Sequence, residues 1–454
     1  MRTYEDAITL LDFILLPFYV CFVFFIAIAI KRKYERIKPH YKYFVRGLAV
    51  KVLGAIAICL IYDFYYTAEN DTLLYYHSSS AMKDLLFNNP SGFFKIYFTY
   101  HVTPDVVFNA LTSSDETPAY IYDQYAFFVS KLFTIVNLLS FDSFIPMAIL
   151  IAFISYSGIW RMYEVFIAEF GHLYKKLAIA FLFIPSVFFW GSGLLKDAIT
   201  ISAVGWFTYG FYFGAIKRKK IFSNLVVISI SSFMLLSVKP YIFAALIPGS
   251  VLWFFNNSIA GIKSKVFKFI MLPAVITMTF VVSYFLLQNF ETSLGSYSID
   301  NVMTKAADSQ EDLKREVYNG HSFDIGKFDG TLVGALTLAP LAIVATLFRP
   351  YIWEVKNIVM LISGLENAII LFATLYLLLR LRVLGFFQFI GKHPLLLFSV
   401  AFSIFFSFTV GLSISNFGSL VRLKIPCIPF FVASLQIMMD YYLKSIGRRT
   451  LDYI

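Results

Sequence analysis

The 454-residue chain is 59% hydrophobic, only 15% charged, and contains 52 phenylalanines, with a formal net charge of +10. Soluble domains are roughly 45–50% apolar and about 25% charged, and a soluble surface could not cover this much apolar area. The composition excludes a soluble enzyme, a disordered chain and a disulfide scaffold, and it indicates an all-α polytopic membrane protein.

A span needs about 20 apolar residues. In chain order the predicted spans are 8–30, 47–65, 143–160, 177–194, 198–215, 221–238, 240–256, 267–288, 357–379, 393–413 and 425–442. The first is a retained helix. It has no basic region before it and no small-residue cleavage site, and a basic cluster follows it directly. Two more apolar segments are ambiguous. Residues 125–141 are interrupted by Lys131, Asn137 and two serines, and residues 331–348 contain Pro340.

The Lys/Arg distribution argues that neither segment spans. With Lys31, Arg32, Lys33, Arg36, Lys38, Lys42 and Arg46 in the cytoplasm, eleven spans also place 161–176, 217–220, 257–268, 380–392 and the tail 444–454 there. Those stretches hold most of the Lys and Arg. The expected topology is N-terminus outside and C-terminus inside. The positive charge then reflects anionic lipid and not nucleic acid.

Two extracytoplasmic regions result. The first, 66–142, reads as a loop with amphipathic membrane-surface helices: Gly92 to Tyr100 is aromatic-rich, and 125–141 suits the interface. The second, 289–356, opens on the polar stretch Asn289 to Gly330, continues into a re-entrant candidate, and ends at Phe348-Arg349-Pro350-Tyr351. No repeat is visible, so 1–454 reads as one transmembrane domain. Cys21, Cys59 and Cys427 lie in apolar runs without CxxC spacing and read as buried thiols. The histidines form no HxxxH or HExxH pair, so no protein-ligated zinc site is expected.

Under this topology the unusual polar residues gather on the outer side. Asp63, Glu69 and Asp71, with His77 close behind, follow the second span. They are solvated loop charges, or they supply a base or bind a metal. Trp190-Gly191-Ser192-Gly193-Leu194-Leu195-Lys196-Asp197 separates two apolar helices. It is either a turn with a neighbouring ion pair or an anion site, with glycines admitting close backbone approach. Lys239 precedes Pro240 and either snorkels or faces a phosphate. Arg349 has the fork for bidentate phosphate binding. Arg422 and Lys424 stand outside against the charge bias. Glu366 falls mid-span, where an ionisable residue is functional by default or packs on Asn367 or Ser363.

Glu69-Asn70-Asp71-Thr72-Leu73-Leu74-Tyr75-Tyr76 resembles the G-[TD]-D-x-x-x-Y signature of EpsG-like exopolysaccharide and O-antigen polymerases, with Asn70 in the glycine position. It is also similar to the acidic first-loop motif of multispanning GT-C glycosyltransferases. Arg422-Leu423-Lys424-Ile425-Pro426 resembles a late R-Y-[RK]-x-P stretch of such proteins, with Leu423 replacing the aromatic. Phe189 to Asp197 is similar to a W-[GS]-S-G-x-x-K-[DE] segment of multispanning proteins from polysaccharide loci. The resemblance implies a GT-C-like fold with periplasmic juxtamembrane helices and a polyprenyl-linked donor. It makes Asp71 catalytic or acceptor-binding. A late-loop histidine, as in O-antigen ligases, makes His321 a minor candidate.

The expected function is therefore an inner-membrane glycosyltransferase or polysaccharide polymerase of the cell envelope, drawing on a polyprenyl-phosphate- or diphosphate-linked sugar. Asp71 and Glu69 are its catalytic candidates. Lys196, Lys239, Arg349, Arg422 and Lys424 are its phosphate-binding candidates, and Asp197, His77, His321 and Glu366 are further ones. No cofactor is assigned, although a divalent metal is compatible with the carboxylates. Expected partners are the lipid-linked glycan, the bilayer and other envelope-glycan assembly proteins. The alternatives are a secondary transporter or flippase, motivated by Glu366 and 331–348, or a non-catalytic subunit of an envelope complex.

Overall fold

The computed structural model describes residues 7–65, 70–111, 116–259, 308, 322–326, 328–329 and 331–447. Among these, every regular element is helical. In chain order they are α1 (Leu10–Tyr34), α2 (Phe44–Leu60), α3 (Asp71–Asn88), α4 (Pro90–Phe98), α5 (Pro104–Phe108), α6 (Gln124–Leu139), α7 (Phe144–Phe170), α8 (Tyr174–Leu182) and α9 (Pro185–Trp190). They continue as α10 (Lys196–Gly210), α11 (Ile221–Val238), α12 (Pro240–Ile259), α13 (Leu332–Phe348), α14 (Ile358–Lys392), α15 (Pro394–Ser413), α16 (Phe417–Leu423) and α17 (Ile428–Ser445). Proline opens α4, α5, α9, α12 and α15, where its missing N–H costs nothing. Asn70, Asp123, Thr331, Asn357 and Asn416 cap α3, α6, α13, α14 and α16 through their side chains.

Seven described helices are long and apolar enough to cross a membrane: Leu10–Tyr34, Pro39–Tyr65, Phe144–Leu182, Lys196–Ile216, Ile221–Val238, Met360–Lys392 and Pro394–Ser413. The pair α16 and α17, bent by 67°, adds an eighth if it is one span. Gln124–Leu139, Pro240–Phe255 and Val333–Phe348 are shorter apolar helices. The chain is thus a polytopic membrane protein by length and composition of its helices. The expected span 267–288 lies outside the described residues. The expected span 177–194 is divided between α8 and α9. Pro185 cannot donate into a continuing helix and disfavours helical backbone at Ile184, and Gly193 then turns the chain with φ +73°.

The chain forms two compact units. One comprises Met1–Arg161, Phe188–Trp206 and Phe233–Lys239; the other comprises Met162–Val187, Phe207–Ser232 and Pro240–Ile454. In the first, Asp12 is fully buried. It accepts hydrogen bonds from the Thr9 N–H and hydroxyl at 2.9 Å each, the Ser143 hydroxyl at 2.8 Å and the Ile145 N–H at 2.7 Å. One carboxylate therefore ties the start of α1 to the start of α7. The rest of α1 turns Phe13, Phe18, Phe22 and Phe25 outward. Cys21 is exposed on this helix, and not buried as the sequence suggests, because an apolar run facing lipid needs no protein cover. Cys59 and Cys427 are buried. Between α3 and α6, Met82, Leu85, Phe93, Ile96, Val107 and Phe127 form a separate apolar core for the first loop.

In the second unit α15 packs against α12, α13 and α17. Trp253 stacks on Phe398 at 4.7 Å, and Phe402 meets Phe430 edge-on at 5.3 Å. The Thr346 hydroxyl donates across to Ser407 O at 2.8 Å.

In the first unit, α7 and α10 meet backbone to backbone. A Cβ on Gly205 would sit 2.0 Å from Gly158 O, and one on Gly158 would sit 2.1 Å from Ser202 O. Small residues permit such approach inside a membrane bundle. Gly205→Val should therefore separate the two helices, cost more than the ~1–3 kcal/mol of ordinary overpacking, and lower the thermal midpoint in detergent. Gly171→Ala, where nothing lies within 4 Å, should leave it unchanged. Thermal size-exclusion of both variants measures the difference.

Candidate functional site

Three of the expected site residues meet in the first unit. Lys239 follows the last residue of α11, and Asp197 is the second residue of α10. The Lys239 ammonium donates to Asp197 Oδ1 at 2.5 Å. Asp197 is fully buried and Lys239 is 7% exposed. Beside Asp197, Lys196 donates to Asp123 Oδ2 at 3.2 Å. Asp123 is also the cap of α6, its Oδ1 accepting from the Tyr125 N–H at 3.0 Å and the Ala126 N–H at 3.2 Å. The four charges thus alternate: Asp123, Lys196, Asp197, Lys239.

Asp71 joins this array through a tight turn. The Asp123 N–H donates to Tyr120 O at 2.9 Å. Tyr120 has φ +65°, a left-handed backbone that a bulky side chain rarely adopts. Its hydroxyl donates to Asp71 Oδ1 at 2.9 Å, and its ring lies 4.9 Å from that of Tyr75. Asp71 opens α3, where the helix dipole favours an anion. Asn70, in the position where the resemblance has glycine, accepts from the Leu73 N–H at 3.1 Å and donates to Tyr62 O at 3.1 Å. It therefore anchors the helix start that presents Asp71.

The turn that delivers Lys196 is held from below. Lys51 of α2, 2% exposed, donates to Gly191 O. The Ser155 hydroxyl donates to the same carbonyl at 3.2 Å.

A second acidic centre, Asp142, was not among the expected site residues. It accepts from the Ser80 hydroxyl at 2.5 Å, from Asn137 Nδ2 at 2.9 Å and from the Lys83 ammonium. The Tyr76 hydroxyl donates to its backbone carbonyl at 2.8 Å. Burial by itself would raise the Asp142 carboxyl. The hydrogen bonds from Lys83, Ser80 and Asn137, with the Lys83 charge, outweigh it and hold the group below the usual carboxylate range. Burial raises the Tyr76 hydroxyl, with Asp142 and Asp12 adding to the shift. Burial lowers the His77 imidazole against the opposing pull of Glu116, Asp142 and Asp63.

The remaining described candidates lie in the second unit. Arg349 pairs with Glu354 through Nε, at 2.9 and 3.2 Å to the two oxygens, and through Nη2. Its guanidinium lies over the rings of Phe323 at 4.8 Å, Tyr351 at 5.7 Å and Phe417 at 5.7 Å. The fork suited to phosphate is thus occupied from within the chain. Lys424 is fully buried and donates to Asn367 Oδ1 at 2.6 Å and Arg349 O at 3.1 Å. Glu366 accepts from the Ser186 N–H at 2.9 Å and the Ser186 hydroxyl at 2.6 Å. Arg422 is half-buried in the last turn of α16. Glu69 and His321 lie outside the described residues. Among the described residues, no three His, Cys, Asp or Glu side chains gather as a metal-binding group.

Sequence reasoning passed over Tyr120, Asp123 and Asp142. Asp123 carried a readable signal, an Asp directly before an apolar helical run. Tyr120 carried none, because its partner lies far away in sequence. Compared with protein-family models, curated proteins and solved structures, the chain finds no match.

Two outcomes test this description. Asp197→Leu or Lys239→Met alone strands a buried charge and should cost about 3–5 kcal/mol. The double variant should recover most of that loss in thermal unfolding. For Asp142, a depressed folded-state pKa contributes stability that is complete above the unfolded value of about 3.9 and is lost as pH falls through the lower folded value. The thermal midpoint of wild type should therefore drop more steeply below about pH 4 than that of Asp142→Asn, which should already be less stable at neutral pH.

Proposed function

We propose that this chain is a membrane glycosyltransferase or polysaccharide polymerase acting at the extracytoplasmic face on a polyprenyl-phosphate- or diphosphate-linked sugar donor. The observation that supports it most is the bonded path from Asp71 through Tyr120 and Asp123 to Lys196. It links a carboxylate at a helix start to a cation at the start of the next motif.

In this reading Asp71 is the general base. The acceptor hydroxyl oxygen attacks the anomeric carbon, its proton passes to the Asp71 carboxylate, and the bond from that carbon to the phosphate oxygen breaks. The polyprenyl phosphate or diphosphate leaves with the bonding electron pair. The Tyr120 hydroxyl, donating to Asp71 Oδ1, orients the carboxylate that takes the proton. Lys196 is the cation for the leaving phosphate, because its partner Asp123 is half-exposed and can yield to a more highly charged anion. Lys239 is committed to the buried Asp197 and acts by positioning α10. The resemblance of 69–76 to the polymerase signature supports the same role for Asp71.

Lipid-linked glycans extracted from cells producing wild type or Asp71→Asn at matched levels test the assignment. Loss of product by about 10²–10⁴-fold is the size expected when a general base is removed. An unchanged profile at normal expression would overturn it. A ladder that collapses to single repeat units identifies polymerisation, whereas loss of one sugar identifies single transfer.

A further inference from the structure

The Asp142 cluster lies on a different side of α3 from Asp71. Ser80 is nine residues beyond Asp71, half a turn around the helix and about 13.5 Å along it. There the Ser80 hydroxyl and Asn137 Nδ2 donate to Asp142 Oδ1 at 2.5 and 2.9 Å, and the Lys83 ammonium donates to Oδ2. Lys83 also lies 3.4 Å from Asp84. Asn137 is fully buried, whereas the side chains of Asp142, Lys83 and Asp84 are 34%, 17% and 57% exposed. The cluster is therefore anchored in the protein at Asn137 and opens outward at its charges. Charges this exposed face water and not hydrocarbon.

The backbone that carries Asp142 is strained. α6 ends at Leu139, and after Ser140 the chain takes φ +53° at Phe141 and φ +57° at Asp142. Left-handed backbone after a helix usually falls on glycine. Aspartate tolerates it, but a bulky ring rarely adopts it. Phe141 returns no packing for that strain, because it is 71% exposed. Phe87, one turn beyond Lys83 on the same face of α3, is 70% exposed. A purely structural tie between α3 and the α6–α7 junction would need Asp142, Ser80 and Asn137 but neither ring. Strained residues of this kind cluster at ligand sites.

The mixture of groups defines the chemistry of the ligand. Asp142 and Asp84 repel an anion and Lys83 repels a cation, so the ligand is neutral. A carboxylate that accepts, an ammonium that donates and a serine hydroxyl that does both match hydroxyl groups, which also donate and accept. An exposed aromatic ring offers an apolar surface to the C–H face of a sugar ring. We infer that Ser80, Lys83 and Asp142, flanked by Phe87 and Phe141, form a binding site for a neutral saccharide, separate from the candidate site at Asp71. Binding there involves no turnover, so it stands whether or not Asp71 is a general base.

Saturation-transfer NMR on the full chain in nanodiscs of phosphatidylethanolamine and phosphatidylglycerol, free of sugar-based detergent, tests this. Cellobiose, lactose and chitobiose are the neutral probes; glucuronate and choline are the charged ones. Transfer to the ring C–H protons of at least one neutral disaccharide is expected. Phe87→Ala and Phe141→Asn should each weaken that binding by roughly 2- to 10-fold. Neither should lower the thermal midpoint, because both rings are exposed and asparagine tolerates left-handed backbone. Asp71→Asn should bind the same probe as wild type does, even where it abolishes glycan product in cells. No transfer to any neutral probe, or tighter binding of glucuronate or choline, overturns the inference. Binding that survives both ring substitutions also overturns it, as does binding lost in Asp71→Asn, which would put the sugar at the candidate catalytic site instead.

Discussion

Removing an ammonium and a carboxylate from water costs several kilocalories per mole for each ion unless the two meet in good geometry. Asp197 and Lys239 meet at 2.5 Å with almost no exposure. That pairing joins the start of α10 to the end of α11. Because Lys196 is the residue before Asp197, fixing Asp197 also fixes where Lys196 emerges. Asp123 answers Lys196, and the turn before Asp123 carries Tyr120 to Asp71. The arrangement of the candidate site thus starts from one buried ion pair, Asp197 with Lys239, and extends to the partly exposed pair Lys196 with Asp123.

The same rule organises the second unit with different consequences. Lys424 is answered by Asn367 and a backbone carbonyl, Glu366 by Ser186, and Arg349 by Glu354 under three aromatic rings. These groups are engaged within the chain. They brace the stretch 349–351, where Asn367 donates to Pro350 O and Lys424 to Arg349 O, whereas Lys196 is paired with the half-exposed Asp123. The difference lies in exposure and partner, not in residue type.

The polar interior also explains the surface. In α6 the serine, threonine, lysine and asparagine that broke the apolar pattern are buried beside Phe127, Val129 and Phe133, while Ile135 and Leu139 are exposed. In α1 the phenylalanines face outward along nearly the whole helix. Apolar surface in contact with lipid carries no hydrophobic penalty, so exposure of apolar side chains here needs no compensation, whereas the polar ones are turned inward.

Much of the helical layout was legible in the sequence. Runs of about 20 apolar residues mark spans because a bilayer core has a fixed thickness, and proline and asparagine mark helix starts because they suit unpaired N–H groups. The divided stretch at 177–194 was missed because hydropathy averages over Pro185 and the glycines after it. The residue types of the candidate site were also legible: Asp71, Lys196, Asp197 and Lys239 stood out as charges at the ends of apolar runs. Which of them share a partner was not. The bonds from Tyr120 to Asp71 and from Lys239 to Asp197 join residues 49 and 42 positions apart, and no local periodicity encodes such a distance. Composition alone settled that the chain belongs in a membrane, since apolar area must match its solvent. The tertiary structure decided which charges are satisfied internally and which remain addressable, because in a low-dielectric interior that depends on the position of the counter-charge.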